Sequence, residues 1–203
     1  MGKKLKAPPG LDYQPVTGDV EHVSFGVAQA GGDRALTAEQ FIGKRAFPVM
    51  KPKDLTLPWP NPTCHKLDVQ LPYGASDELW DPQRLAQAYD RQCFSAIRDL
   101  VVIVTLRFPQ VDEGRMRLHE AWTLSQGFAR QLVDDHGVAV VSAMHVPARA
   151  AKPGLPHVHL MIPARQLLPS GFGKFARPLA TDDGRALVEK AWAAWREATD
   201  VAK

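Results

Sequence analysis

Apolar and polar positions alternate with most order from residue 81 onward. Asp81-Pro82 starts a helix, and Leu85, Ala88, Tyr89, Phe94, Ala96 and Ile97 give it an apolar stripe to about Asp99. Leu100-Val-Val-Ile-Val-Thr-Leu106 is β-branched and predicts a buried strand that stops at Pro109. Met116, Leu118, Ala121, Trp122, Ser125, Phe128, Leu132 and Val133 recur at helical spacing, and Gly137 closes that helix. Val138–His145 and His157–Ile162 read as two further strands. Asp182-Asp183 then opens a last amphipathic helix to about Ala198, burying Leu187, Ala191, Trp192 and Trp195. Helix, strand, helix, strand, strand, helix is the order expected of an α+β domain: a mainly antiparallel sheet with helices packed on one face.

The first part of the chain is less patterned. Residues 1–20 are basic and carry Pro8, Pro9 and Gly10, and read as a loose arm, disordered or draped on the surface. Glu21 to Gln29 partly alternates and predicts a first strand. Thr37 can cap a short helix to about Arg45. Residues 48–62 hold Pro48, Pro52, Pro58, Pro60 and Pro62, an extended connector, and Cys64 to Leu71 suits a short strand. Residues 21–203 are expected to form one domain, divided at about residue 78 into a divergent N-terminal segment and the patterned remainder.

Composition removes several classes. Cys64 and Cys93 are far apart and outside any CxxC, so neither a disulfide framework nor a cysteine-based zinc site is indicated. The basic N-terminus has no apolar stretch behind it, and the run Leu100–Leu106 is too short to span a bilayer, so a cytoplasmic protein without a membrane partner is expected. The net charge of +3 is uninformative until its distribution is considered. Between Asp135 and Asp182 there is no acidic residue, whereas Arg149, Lys152, Arg165, Lys174, Arg177 and four histidines fall there. Such segregation suits a polyanion-binding face, or a loop-rich region whose counter-charges lie elsewhere in sequence.

Within this stretch three histidines have chemical spacing. His157 and His159 are alternate residues of one strand and share a face. If the strand ending at His145 pairs with it antiparallel, His145 lies opposite the start of the next strand, about 5 Å away at Cβ. Three imidazoles then converge on one point, leaving the rest of a cation's coordination shell open, while Val158, Leu160 and Ile162 face the core. His22, His65, His119 and His136 lack such company, and His119 and His136 read as structural.

The strand ending in His145, the loop, Pro156-His157-Val-His159-Leu-Met-Ile, then Arg165 and Gly171-Phe-Gly173-Lys174, resemble the signature of MobA/MobL-type plasmid mobilisation relaxases, of the HUH endonuclease class. Leu79-Trp80 and Arg98-Asp-Leu…Leu106-Arg-Phe-Pro109 are similar to that family's middle segment. The likeness spans roughly residues 79–200. It implies a sheet related to the ferredoxin and RNA-recognition folds. It also implies a divalent Mg²⁺ or Mn²⁺ (with Zn²⁺ as the alternative) held by His145, His157 and His159 against the scissile phosphate of single-stranded DNA at an origin of transfer. A tyrosine that becomes joined to the 5′ end, and accessory transfer proteins as partners, follow from the same likeness.

One position departs from the family. Phe41 stands on the early helix where the tyrosine is expected, and the chain's tyrosines are Tyr13, Tyr73 and Tyr89. Tyr89 is the candidate nucleophile, with core packing as its competing role, and water is the alternative nucleophile. Arg149, Lys152, Arg165, Lys174 and Arg177 suit phosphate contacts and Phe172 suits base stacking. Two other functions compete: a non-catalytic DNA-binding accessory protein, and a histidine-triad nucleotide hydrolase. Met161 stands at the third histidine position of the latter's motif and cannot take over its proton chemistry.

Overall fold

The computed structural model describes residues 11–15, 22–30, 37–49, 52–93, 98–181 and 183–201. Six strands form one sheet: β1 (Leu11–Pro15), β2 (Val23–Gln29), β3 (Lys66–Gln70), β4 (Asp99–Arg107), β5 (Val140–His145) and β6 (His157–Pro163). They lie in the order β1-β2-β4-β6-β5-β3, and every neighbouring pair is antiparallel. A separate hairpin joins β7 (Arg165–Leu168) to β8 (Gly171–Phe175). The helices are α1 (Ala38–Ala46), α2 (Pro82–Arg91), the single turn α3 (Pro109–Asp112), α4 (Leu118–His136) and α5 (Gly184–Val201).

The α+β class and the antiparallel sheet agree with the sequence pattern, but the helices are divided between both faces. Even-numbered residues of β4 and β6, such as Val102, Val104, Leu106, Val158, Leu160 and Ile162, pack with Phe128 and Leu132 of α4 and Val188 and Trp192 of α5. Their odd-numbered neighbours Val101, Ile103 and Met161 pack with Phe41 and Ile42 of α1 and Leu85 and Tyr89 of α2. The central strands are therefore apolar on both sides at that level, which is why they read as continuous runs. Gly127 lets α4 and α5 approach: a Cβ there would lie 2.4 Å from the Trp195 ring. Gly137 ends α4 in the left-handed conformation with φ 63°.

α1 is fixed at both ends. Thr37 accepts a hydrogen bond from the Gln40 N–H at 3.1 Å, as a cap should. The carboxylate of Asp90, on α2, accepts from the N–H groups of Ala38 and Glu39 at 2.8 and 2.9 Å. These contacts aim the last turn of α1 at one end of the sheet.

Several boundaries differ from the sequence pattern. α2 stops at Arg91 rather than near Asp99; Phe94, Ala96 and Ile97 lie outside the described residues. Gln92 leaves the helix, its side-chain oxygen accepts from the Phe172 N–H at 2.8 Å, and Asp99 already pairs with Gln29 in the sheet. Part of the segment read as a loose arm, Leu11–Pro15, is edge strand β1; the remaining residues of 1–20 lie outside the described residues. The β7–β8 hairpin had no counterpart in the pattern. Its strands are short, and the Pro169-Ser170 turn interrupts their alternation. β1, from before residue 20, and β2 and β3, from before residue 78, join the same sheet as β4–β6.

Candidate metal centre

β5 and β6 pair with His145 opposite His157. Period-two alternation puts His159 on the same face as His157 and, through β4, opposite Thr105. The three rings meet edge to face, with centroids 4.7 to 5.0 Å apart. One nitrogen of each ring lies within 4.8 Å of the other two. No other group of three histidine, cysteine or acidic side chains so arranged occurs among the described residues.

Hydrogen bonds to the other nitrogens orient these rings. His157 Nδ1–H donates to the Leu155 carbonyl at 2.8 Å, which leaves its lone pair on Nε2. His159 Nδ1 pairs with the Thr105 hydroxyl at 2.9 Å. His145 Nε2–H donates to the Arg45 carbonyl at 2.7 Å, which leaves its lone pair on Nδ1. Backbone carbonyls and hydroxyls in this role fix tautomer and ring orientation in metal sites.

Burial pushes all three imidazoles down from their ordinary pKa, in each case as the largest cause. His145 falls to about 4, helped by the charges of His157 and Arg45 and opposed by its hydrogen bond to the Arg45 carbonyl. His159 is driven well below the usual range by burial, then by His145 and His157 and by Arg45 and Arg107. At neutral pH the rings are therefore uncharged, with lone pairs free for a cation. Three neutral imidazoles converging on one point with an open side fit a divalent metal.

Two arginines complete one flank. A pocket of about 200 Å³ is lined by Ser24, Arg45, Ile103, Thr105, Arg107, His157 and His159. Arg107, opposite His157 on β4, donates to the Ser24 hydroxyl at 3.0 Å. The Arg45 guanidinium lies 3.6 Å above the Phe41 ring, and its desolvation lowers its pKa to about 10. On the other flank a cleft of about 560 Å³ runs past His145 and His157 to His65, Arg149 and Lys152. Arg149 donates to His65 Nδ1 at 2.9 Å, and Lys152 to the Pro48 carbonyl at 3.3 Å. Among the described residues, no acidic side chain lines either pocket.

Of the residues singled out in the sequence, Arg149 and Lys152 join the triad, and the others do not. Tyr89 is fully buried on α2, and its hydroxyl donates to the Asp99 carbonyl at 2.9 Å. Asp99 begins β4 while Thr105 lies near its end, about 20 Å apart at strand rise. Burial also drives the Tyr89 phenol upward, away from phenolate. The tyrosine is a core residue, not a nucleophile at the triad. Phe172 is only 6% exposed, its ring edge-on to Tyr89 at 5.0 Å, so no base can stack on it. Arg165 is held by the carbonyls of Gly173, Gln92 and Phe172. With Lys174 and Arg177, which are exposed, it belongs to the hairpin end of the sheet, because β6 runs away from His157.

Tyr73 is fully exposed on the turn after β3. Tyr13 pairs with Gly26 in β1, and that strand lies three strands from β6, about 14 Å across the sheet. Arg45, Thr105 and Arg107 carry no sequence motif that singles them out, and His65, expected from sequence to lack company, lines the cleft. Alternation along β4 puts Thr105 and Arg107 on one face and was a usable signal. Arg45 and His65 reach the site through packing between segments distant in sequence.

No protein-family model matches the sequence, and no curated protein does. Solved structures do share its fold. One, from work on the molecular basis of vancomycin resistance transfer in Staphylococcus aureus, superposes with a TM-score of 0.64 at 18% identity, over 86% of this chain and 89% of that one. Another is the metal-bound conjugative relaxase TrwC in complex with oriT DNA, with a TM-score of 0.51 at 13% identity, over 85% of this chain and 67% of that one. The chain thus has a fold found among relaxases. No helix among its described residues is long and apolar enough to cross a membrane.

Proposed function

We propose that the chain is a metal-dependent endonuclease of relaxase type that nicks single-stranded DNA at an origin-of-transfer-like site. The observation that carries the reading is the convergence of His145, His157 and His159, uncharged at neutral pH, between clefts walled by Arg45, Arg107, Arg149 and Lys152. The fold shared with a metal-bound relaxase in complex with oriT DNA supports it. A bound Mg²⁺, Mn²⁺ or Zn²⁺ would supply Lewis-acid polarisation of a phosphoryl oxygen. The chain's part is to hold the three ring nitrogens in place and to offset phosphate charge with arginines on both flanks. A cytoplasmic protein working beside other transfer proteins is consistent with this role.

A specific observation favours a second chemistry for the same site. Tyr89 is locked away at the far end of β4, and Phe41 lies under the Arg45 guanidinium. Hydrolysis by water then replaces covalent transfer to tyrosine. End-labelled single-stranded DNA incubated with Mn²⁺ separates the cases. A covalent protein–DNA adduct marks transesterification, and free cleaved product marks hydrolysis. A shifted band without cleavage overturns the enzyme and leaves an accessory DNA-binding protein.

A further inference from the structure

We infer that the cleft beside the triad continues around the sheet edge into a second binding groove, which holds the single-stranded DNA that flanks the bond to be cut. This rests on the nuclease reading above and adds to it a site on the opposite, α4-bearing face.

His65 immediately precedes β3, and its N–H bonds to the Met144 carbonyl at 2.8 Å, which pins it beside the end of β5. Arg149, on the turn after β5, reaches across to His65 Nδ1. Because Nδ1 accepts that bond, the remaining ring N–H of His65 is a donor. This pair lines the triad cleft and also a groove of about 630 Å³ beside the start of α4. The two hollows therefore share a wall at His65 and Arg149.

The second groove has the chemistry of a polyanion site. Lys66, Arg117, His119 and Arg149 line it, and among the described residues no acidic one does, in a chain whose 25 lysines and arginines face 22 acids. Of the acids close by in sequence, Glu113 pairs with Arg115, Glu120 accepts from the Arg117 backbone N–H at 2.6 Å, and Asp68 and Asp112 are not among the groove's described lining residues. Val111, Met116 and Leu118 give the groove apolar surface among the cationic heads. Cationic side chains over apolar surface suit unstacked bases joined by phosphates. Continuity with the triad cleft selects a strand of nucleic acid over a separate acidic partner. His119, read from sequence as structural, becomes a wall of this groove.

The test is binding of single-stranded oligonucleotides of about 6 to about 20 nucleotides to the full chain, followed by fluorescence anisotropy in chelator so that nothing is cut. For the unaltered chain, affinity should rise with length until both hollows are filled. In the double variant Lys66→Gln, Arg117→Gln, the longest oligonucleotide should lose about tenfold in affinity. Its log–log salt dependence should be shallower by about 1.4, for two phosphate contacts at about 0.7 each. Both side chains are exposed, so an unchanged thermal midpoint is expected and serves as the control for folding. A variant that keeps the full affinity gain and salt slope overturns the second groove while leaving the nuclease reading intact. Absence of single-strand binding by the unaltered chain, at every length, removes both.

Discussion

The two ends of the central sheet hold similar residue types put to opposite uses. At the hairpin end, Arg165 spends its donors on three backbone carbonyls, Tyr89 gives its hydroxyl to Asp99, and Phe172 fills the space beside it. At the triad end, three imidazoles use one nitrogen each for the protein and turn the other lone pair over to whatever enters. Residue identity marked both ends as chemical. What separates them is whether polar groups are satisfied internally, because a satisfied buried group stabilises the fold while an unsatisfied, pre-aimed one awaits a ligand.

This contrast can be broken by mutation. The largest effect belongs to His157→Ala, which should lower nicking by about three orders of magnitude, the scale of losing a metal's charge stabilisation. Calorimetric titration with Mn²⁺ should show the matching loss of binding, and retained cleavage would end the triad assignment. Phe172→Ala, at the other end, should cost about 3 to 4 kcal/mol of stability in denaturant melts. Its nicking rate, measured where the variant is folded, should be unaltered; a selective loss of rate would make Phe172 part of the site after all. Thr105→Val removes the partner of His159 Nδ1 and should weaken metal affinity about 10- to 100-fold. Tyr89→Phe should cost about 1 kcal/mol and leave cleavage as it was. Cleavage that vanished with that hydroxyl would reverse the distinction between the two ends.

Acid should weaken the metal-free protein at the triad end. The folded-state pKa of His145 is about 4, below its ordinary 6.5, so the unfolded chain binds more protons between those values. Stability therefore falls as pH drops from about 6.5 toward about 4, and recovers as pH rises. The pH slope of thermal melts across this window should lessen in a His145→Gln variant without vanishing, because burial also pushes His157 and His159 down. An unchanged slope would show that the ring is not shielded as described.

What the sequence could reveal follows the range of each interaction. β4, β5 and β6 are legible because alternation and β-branching are local, and the face shared by His157 and His159 follows from strand geometry alone. The position of His145 needed one further step, antiparallel pairing across a short connection. The hairpin end misled because Tyr89 and Phe172 find each other over 80 residues of chain, and no local pattern marks a tyrosine whose hydroxyl is already taken. The division of helices between faces was also hidden. α1 and α2 carry short apolar stripes, and only the doubly buried runs of β4 and β6 hinted at a second layer.

The bond from His145 to the Arg45 carbonyl joins a ring in the middle of the fold to the tail of a short helix that is pinned at its head by Asp90. The proline-rich stretch after residue 47 leaves from that tail. A cation gripped by the three rings would therefore act as a removable rivet, clamping the β5–β6 hairpin and, through one carbonyl, the stem of the connector. Chelation should loosen that stem first, so a protease offered the stripped protein would find its early cuts there rather than at the hairpin end.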